Sequence, residues 1–250
     1  MKTPVRNVAY GDERGKMTLV SKTFELYGKT YTLESGELAK QATGSVLVKQ
    51  GDTTANVTVV VSKERKNYDF FPLTVDFIEK MYAVGRIPGG YLKREGRPSD
   101  KATLTARMID RPIRPSFPDG FRNEVHVVAT SLVADQVNPI DVICTMGASL
   151  AMTLGGVPFE GPLACVRIGR DRETGEFIVN PTYEERDNSD LDLELAGTRD
   201  FISMVEAGAD EISEEDMLAA MQFGQEAIGA FCDAQLDFVE EWSGAGRFLN

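Results

Sequence analysis

The longest regular element that the sequence predicts is a helix from Ser213 to about Trp242. It opens on the run Ser213-Glu214-Glu215-Asp216, which resembles a capping box. Apolar residues then recur at steps of three, four or seven, and this period places them on one helical face. They are Leu218, Met221, Ile228, Phe231, Ala234 and Phe238. We interpret this face as core packing rather than as a cofactor site, so the rest of the chain has to supply a surface that covers it.

Val- and Thr-rich runs separated by turn residues predict strands ahead of this helix. The clearest strand signal is EVHVVATSLVA at residues 124–134. Further strands are predicted at residues 18–26, 30–33, 45–49, 56–61, 161–169, 176–180, 191–196 and 201–206, with one between residues 70 and 82. A helix rich in small apolar residues is predicted over residues 141–154.

Composition excludes several classes of protein. With 250 residues, 42% of them hydrophobic, the chain is long enough for a large core. No apolar run approaches the length that spans a bilayer, and residues 1–4 lack a signal-peptide core, so we expect no membrane partner. The three cysteines are isolated and odd in number, which favours reduced thiols in the cytoplasm. A single histidine argues against a structural zinc site.

A net positive charge is concentrated in one segment of a chain whose overall net charge is −12. Residues 86–114 contain eight basic and three acidic residues, whereas residues 184–241 contain eighteen acidic and two basic residues. The eight basic residues are Arg86, Lys93, Arg94, Arg97, Lys101, Arg107, Arg111 and Arg114. An acidic protein that gathers its cations in one place is expected to present them to a polyanion.

The order of residues in the basic segment suits a single-stranded nucleic acid. Gly89-Gly90 allows an exposed turn, and Tyr91-Leu92 places a ring beside Lys93 and Arg94, so that a base can stack while its phosphate is neutralised. Ser99 is predicted to cap a short helix. Because Pro112 disfavours helix at Arg111, we expect the helix to end there and Arg114 to lie beyond it. The alternative interpretation is that the arginines are solvated or paired with the many acids.

Four ordered motifs resemble the polynucleotide phosphorylase family, and specifically its first RNase PH-like core. They are DFFPLTV at residues 69–75, GRIPG at 85–89, REGRPS at 94–99 and IDRPIRP at 109–115. The resemblance covers residues 24–242. It implies an α+β fold, with mixed β-sheets packed against α-helices and a long C-terminal helix. It divides the chain into an N-terminal extension (residues 1–16), the core (residues 17–242) and the start of a linker (residues 243–250).

The resemblance also implies an activity. The family degrades RNA from its 3′ end with inorganic phosphate as the nucleophile and releases nucleoside diphosphates, using Mg²⁺ in a second core that lies outside these 250 residues. Three chains form a ring. The first core supplies RNA contacts in the central channel and ring assembly, and it has no catalytic residues of its own. The positions expected to bind RNA here are Tyr91, Lys93, Arg94, Arg97, Arg107, Arg111 and Arg114.

The residues at the positions of the family's phosphate loop and metal motif are consistent with a core that is not catalytic and binds no metal. Where active cores of the family have a Gly/Ser/Thr-rich phosphate loop, this chain has residues 136–141, which contain none of these. In the family's metal motif, Asp192 matches the second aspartate, but the first falls on Arg186 and the lysine falls on Glu194. We therefore expect Asp192 to be a solvated strand acid, a vestigial match to the catalytic set.

Two other functions are open at this point. One is a stand-alone, non-catalytic ring subunit that binds RNA. The other is binding of a small phosphorylated nucleotide by Arg107, Arg111 and Arg114.

Overall fold

A computed structural model describes residues 19–65 and 67–244. The predicted N-terminal extension and most of the predicted linker lie outside the described residues. The strands are β1 (Val20–Leu26), β2 (Lys29–Ser35), β3 (Gly44–Gln50), β4 (Thr53–Arg65), β5 (Leu73–Ile78), β6 (Asn123–Val133), β7 (Ala164–Asp171), β8 (Phe177–Val179), β9 (Ser189–Gly197) and β10 (Ile202–Ala209). The α-helices are α1 (Asp100–Ile113), α2 (Asp141–Leu154), α3 (Tyr183–Asp187) and α4 (Glu214–Gly244).

The first sheet has six strands in the order β1-β2-β3-β4-β6-β5. Its first four strands pair with one another in antiparallel order. The β1–β2 turn is made by Tyr27 and Gly28, both with positive φ, which is the backbone that a two-residue hairpin turn requires. β5 runs parallel to β6, so the chain must cross over between them. The basic loop (residues 86–99) and α1 are that crossover, which explains why they lie together at one edge of the fold.

The second sheet has four antiparallel strands in the order β10-β9-β7-β8. α2 packs against both sheets, and nearly all of its residues are buried. Gly147 allows a close approach to the first sheet, because a Cβ added there would lie 2.7 Å from Cγ2 of Val57 and 2.8 Å from Cγ2 of Val48. The fold is therefore α+β, with a mixed sheet, an antiparallel sheet and a long C-terminal helix, as predicted.

α4 is the predicted long helix, and the predicted Ile228, Phe231 and Phe238 are buried, but the predicted face is wrong at the start of the helix. Leu218 is 59% exposed and Ala234 is partly exposed. Small residues make the contact at this end, since a Cβ added to Gly224 would lie 2.3 Å from Cδ1 of Leu195. A periodicity read from large apolar residues does not count small residues such as Gly224. It therefore wrongly places Leu218 on the buried face of the helix. The helix also continues to Gly244, two residues beyond the predicted end.

The prediction that α1 ends at Arg111 is wrong. The helix includes Pro112 and runs to Ile113, and a 3₁₀ turn follows over Arg114–Ser116. Proline lacks an N–H, but in the last turn it removes only one helical hydrogen bond, and the Arg114 N–H still donates to the Asp110 carbonyl. The ring of Pro112 is buried. Arg114 therefore lies on a continuation of the helical path, not beyond a break.

The described part of the chain contains no helix that is both long and apolar enough to cross a membrane.

Candidate nucleic-acid interface

The basic loop presents its central residues to solvent. A turn closes where the Lys93 N–H donates to the Gly90 carbonyl at 3.0 Å, which leaves Tyr91 and Leu92 at its tip. Tyr91 is 99% exposed, and Leu92 is also exposed. Lys93 has a φ of 51°, a backbone conformation that is uncommon outside glycine. A tyrosine ring that the described part of the chain leaves uncovered is available to stack on a ligand.

α1 begins where the sequence predicted. Ser99 is the N-cap: its hydroxyl accepts from the Ala102 N–H at 3.0 Å and donates to a carboxylate oxygen of Glu79 at 2.6 Å. The apolar side of α1 is buried, including Met108, Ile109 and Ile113. The opposite side carries Arg107, Arg111 and Arg114, all exposed. At steps of four and three residues these arginines lie along one helical face.

The three arginines of this face differ in what they contact. Within the described residues, 19–65 and 67–244, Arg107 forms no ion pair. Arg111 Nη1 lies 2.7 Å from Oε1 of Glu206 on β10. Arg114 donates to both carboxylate oxygens of Asp110, at 3.1 and 2.7 Å, and to the carbonyls of Phe71 and Leu73. Arg114 is thus used within the fold, Arg111 is partly used and Arg107 remains available.

The cations of the basic loop are also available. Lys93, Arg94 and Arg97 are exposed, and none of them forms an ion pair within the described stretches of the chain. The acids of α4 do not cover this surface. Asp237 and Glu241, near the end of α4, instead pair with Lys22 on β1. Of the seven residues expected to contact nucleic acid, five are therefore exposed and form no ion pair with another residue that the structure describes: Tyr91, Lys93, Arg94, Arg97 and Arg107.

The loop that replaces the family's phosphate loop is closed by the chain's own carboxylate. Asp135 Oδ1 accepts from the N–H groups of Val137 and Asn138, each at 2.8 Å, and Oδ2 accepts from Asn138 Nδ2 at 2.6 Å. Partial burial alone would raise the pKa of Asp135, but these hydrogen bonds outweigh it and lower the pKa to about 2. The backbone donors that could hold an external phosphate are already occupied by an anion.

Asp192 is not the solvated strand acid that the sequence predicted. Its carboxylate accepts from Arg167 Nη1 at 2.7 and 2.8 Å, and from Arg186 Nη2 at 2.9 Å. Arg167, on β7, is only 6% exposed at its side chain. It also donates to Asp141 at 2.8 Å and to Glu194. We call these five residues the acid–arginine cluster: Asp141, Arg167, Arg186, Asp192 and Glu194.

Burial and crowding shift the pKa values in this cluster. Burial opposes the charge on Arg167, but Asp141, Glu194 and Asp192 together keep its pKa above the ordinary value. Burial is the largest cause that raises the pKa of Glu194, and the attraction of Arg167 only partly offsets it. The carboxylates of Asp141, Asp192 and Glu206 also raise it, and the net result is a pKa of about 7.

The cluster does not fit the Mg²⁺ ion that the resemblance implies for the whole enzyme. It faces a cavity of about 750 Å³ between α1 and the second sheet. However, two guanidinium groups occupy the positions around Asp192 where a metal would have to bind. Among residues 19–65 and 67–244, no group of three or more His, Cys, Asp or Glu side chains is arranged to hold a metal. We therefore assign no catalytic step to a metal in this chain.

Sequence reasoning missed three residues that organise these sites: Asp135, Arg167 and Glu206. Arg167 had a usable signal, since it is a cation within the otherwise apolar run Ala164-Cys165-Val166 and Ile168. Such a residue on a buried strand needs acidic partners. Glu206 had no comparable signal, because Arg111 lies 95 residues away in the sequence.

Comparison with known proteins identifies relatives of this fold. The 3′ exoribonuclease family, domain 1, matches residues 28–158, and domain 2 of the same family matches residues 161–227. Polyribonucleotide nucleotidyltransferases of Bacillus cereus (strain AH187) and Bacillus anthracis (strain CDC 684 / NRRL 3495) are 52% identical over 218 residues, which is 87% of this chain. The chain spans 30% of the length of these relatives.

A solved structure shares the fold at much lower identity. The crystal structure of rice (Oryza sativa) Rrp46 superimposes with a TM-score of 0.61 and 15% identity, covering 88% of this chain and 93% of that one.

Proposed function

The chain belongs to the 3′ exoribonuclease family, and from that premise we propose that it is the first RNase PH-like core of a polyribonucleotide nucleotidyltransferase. The whole enzyme would degrade RNA from the 3′ end by phosphorolysis, consuming inorganic phosphate and releasing nucleoside diphosphates. This core would bind single-stranded RNA and contribute to a homotrimeric ring. The chemistry, with its Mg²⁺, would belong to a second core, and the enzyme would act in the cytoplasm.

One observation carries the RNA-binding role. A fully exposed tyrosine, Tyr91, shares the basic loop and α1 with exposed cations that pair with no carboxylate of the described residues: Lys93, Arg94, Arg97 and Arg107. Stacking on an aromatic ring combined with neutralisation of phosphate is how proteins bind single strands without reading their sequence. Because the chain carries a net charge of −12, RNA would be repelled elsewhere and confined to this surface.

The arrangement of acids and arginines supports a core without catalysis. Phosphorolysis needs a site for the attacking phosphate and positive charge at the scissile phosphate. Here the carboxylate of Asp135 occupies backbone N–H groups of the loop where the phosphate site was expected. Arg167 is paired with three carboxylates. We assign the main contribution to RNA binding to Tyr91, Lys93, Arg94, Arg97 and Arg107. Arg111 and Arg114 are expected to contribute less, because both have partners within the fold.

The experiment is a titration of a fluorescent single-stranded oligo(A) with the 250-residue chain, followed by anisotropy at several salt concentrations. The double variant Lys93→Ala/Arg94→Ala is expected to bind on the order of tenfold more weakly at low salt. The slope of log Kd against log salt should fall by about 0.7 for each phosphate that the variant no longer neutralises. Lys40→Ala/Lys63→Ala removes the same charge from exposed positions outside the basic segment and is the matched control. Equal weakening by both double variants would contradict the assignment.

A further inference from the structure

Arg107, Arg111 and Arg114 differ in how strongly carboxylates of the fold hold them, and Arg111 is the intermediate case. Arg107 has no internal ion pair within the described residues, and Arg114 is held by a bidentate pair with Asp110 and by two backbone carbonyls. Arg111 makes one contact, from Nη1 to Oε1 of Glu206. Its side chain is 55% exposed and that of Glu206 is 58% exposed, so solvent and ligands reach both groups.

Glu206 reaches Arg111 because the second sheet gives it no cation of its own. In the antiparallel register Glu206 lies opposite Glu194, and Glu194 lies opposite Arg167 on the next strand. Arg167 is already shared by Asp141, Asp192 and Glu194. A carboxylate whose nearest neighbour on the sheet is another carboxylate gains by pairing with a cation on a different element. Arg111, projecting from α1, is that cation.

The pair is of a kind that a phosphate can displace. A guanidinium group offers five N–H donors and binds phosphate best through two parallel hydrogen bonds. Glu206 accepts only one such bond from Arg111, whereas Asp110 takes two from Arg114. Exposed ion pairs are also weak, since water and salt screen both charges. RNA can therefore compete for Arg111 in a way that it cannot compete for Arg114.

We propose that Glu206 is a competitor built into the fold, which occupies Arg111 until an RNA phosphate displaces it. The inference rests on the proposed RNA-binding function and adds a specificity-determining residue to it. A ligand that places a phosphate next to Arg111 displaces Glu206 from it, while weakly bound anions do not. Because the pair joins α1 to β10, its displacement also releases a contact between the crossover and the second sheet.

The test is the RNA affinity of Glu206→Gln in the full 250-residue chain, with a fluorescent oligo(A) as the probe. Glutamine keeps the shape of the side chain and removes its charge. We expect binding to tighten about two- to fivefold, the range that exposed ion pairs contribute. Glu240→Gln removes the same charge from an exposed position on α4 and controls for the general effect of one fewer negative charge. The double variant Arg111→Ala/Glu206→Gln should bind no more tightly than Arg111→Ala, apart from that general effect.

Each alternative outcome has a defined meaning. If Glu206→Gln and Glu240→Gln bind equally, or if the tightening persists without Arg111, the competition does not exist, while binding through Lys93 and Arg94 stands. If the unmodified chain binds no oligo(A) at low salt, the proposed function fails and this inference fails with it.

Discussion

Arg186 Nη2 lies 2.9 Å from Oδ2 of Asp192, six residues further along the chain, and the two form an ion pair. An aspartate at the position of Arg186 would form, with Asp192, the pair of carboxylates that the resemblance implies for a metal site. The arginine instead binds the aspartate that is left. Arg167 approaches the same carboxylate from β7, so the positions around it hold two cations rather than a metal ion.

Arg167→Met should destabilise the fold strongly. The substitution leaves Asp141 and Glu194 with less compensation for their burial, and breaking a buried ion pair by removing one partner costs about 3–5 kcal/mol of the free energy of unfolding. Urea denaturation followed by circular dichroism measures this change. Arg172→Met provides the control, because Arg172 pairs with Asp210 at the surface and should cost about 1 kcal/mol or less. Equal losses in the two variants would show that the cluster does not depend on Arg167.

The pKa of Glu194 predicts how stability depends on pH. Burial raises this pKa from 4.5 to about 7, so between these values the folded state binds more protons than the unfolded state. The free energy of unfolding should therefore be highest below pH 4.5 as far as Glu194 is concerned, and should fall as pH rises through 7. The groups facing it are Arg167 on β7, Asp192 on the same strand, Glu206 on β10 and Asp141 on α2.

Glu194→Gln should abolish this dependence. Between pH 5 and 8 the unmodified chain should lose up to about 3 kcal/mol relative to the variant. Urea denaturation at a series of pH values gives the comparison. Asp135 does not interfere, because its pKa is lowered to about 2 and it stays ionised throughout this window. A difference between the two proteins that is constant with pH would show that Glu194 is ionised at all of these values.

The tip of the basic loop should control base stacking. Tyr91→Ala should weaken binding of oligo(A) by about 1–3 kcal/mol if one base stacks on the ring. It should leave the midpoint of thermal unfolding unchanged, since the side chain is 99% exposed. Leu92→Phe adds a second ring and should tighten binding. Anisotropy titrations measure both effects, and Leu92→Ala is the control for removal of an apolar side chain. No change in affinity for Tyr91→Ala would exclude stacking at this position.

Local patterns predict much of the fold. The Ser99 cap and the whole of α2 are set by residues close in sequence, and the structure confirms both. Two of the errors on helices concern positions where packing decides. Pro112 is accommodated because it lies in the last turn with its ring buried, and the start of α4 packs through Ala220 and Gly224 rather than through Leu218.

The candidate site is predictable from sequence only in its local part. The exposure of Tyr91 and the common face of Arg107 and Arg111 follow from a glycine turn and a helical period. The partners of the arginines depend on strand register and on contacts between distant elements. Arg167 and Asp192 are 25 residues apart, and Arg111 and Glu206 are 95 apart. No spacing in the sequence encodes such pairs.

The most direct test of the account is a combined binding and phosphorolysis assay on the purified 250-residue chain. A 5′-labelled oligo(A) is incubated with the chain, inorganic phosphate and Mg²⁺, and both the bound fraction and the released ADP are measured. We expect the chain to bind the RNA in a salt-sensitive manner and to leave it intact. Steady release of ADP by the pure chain would contradict it.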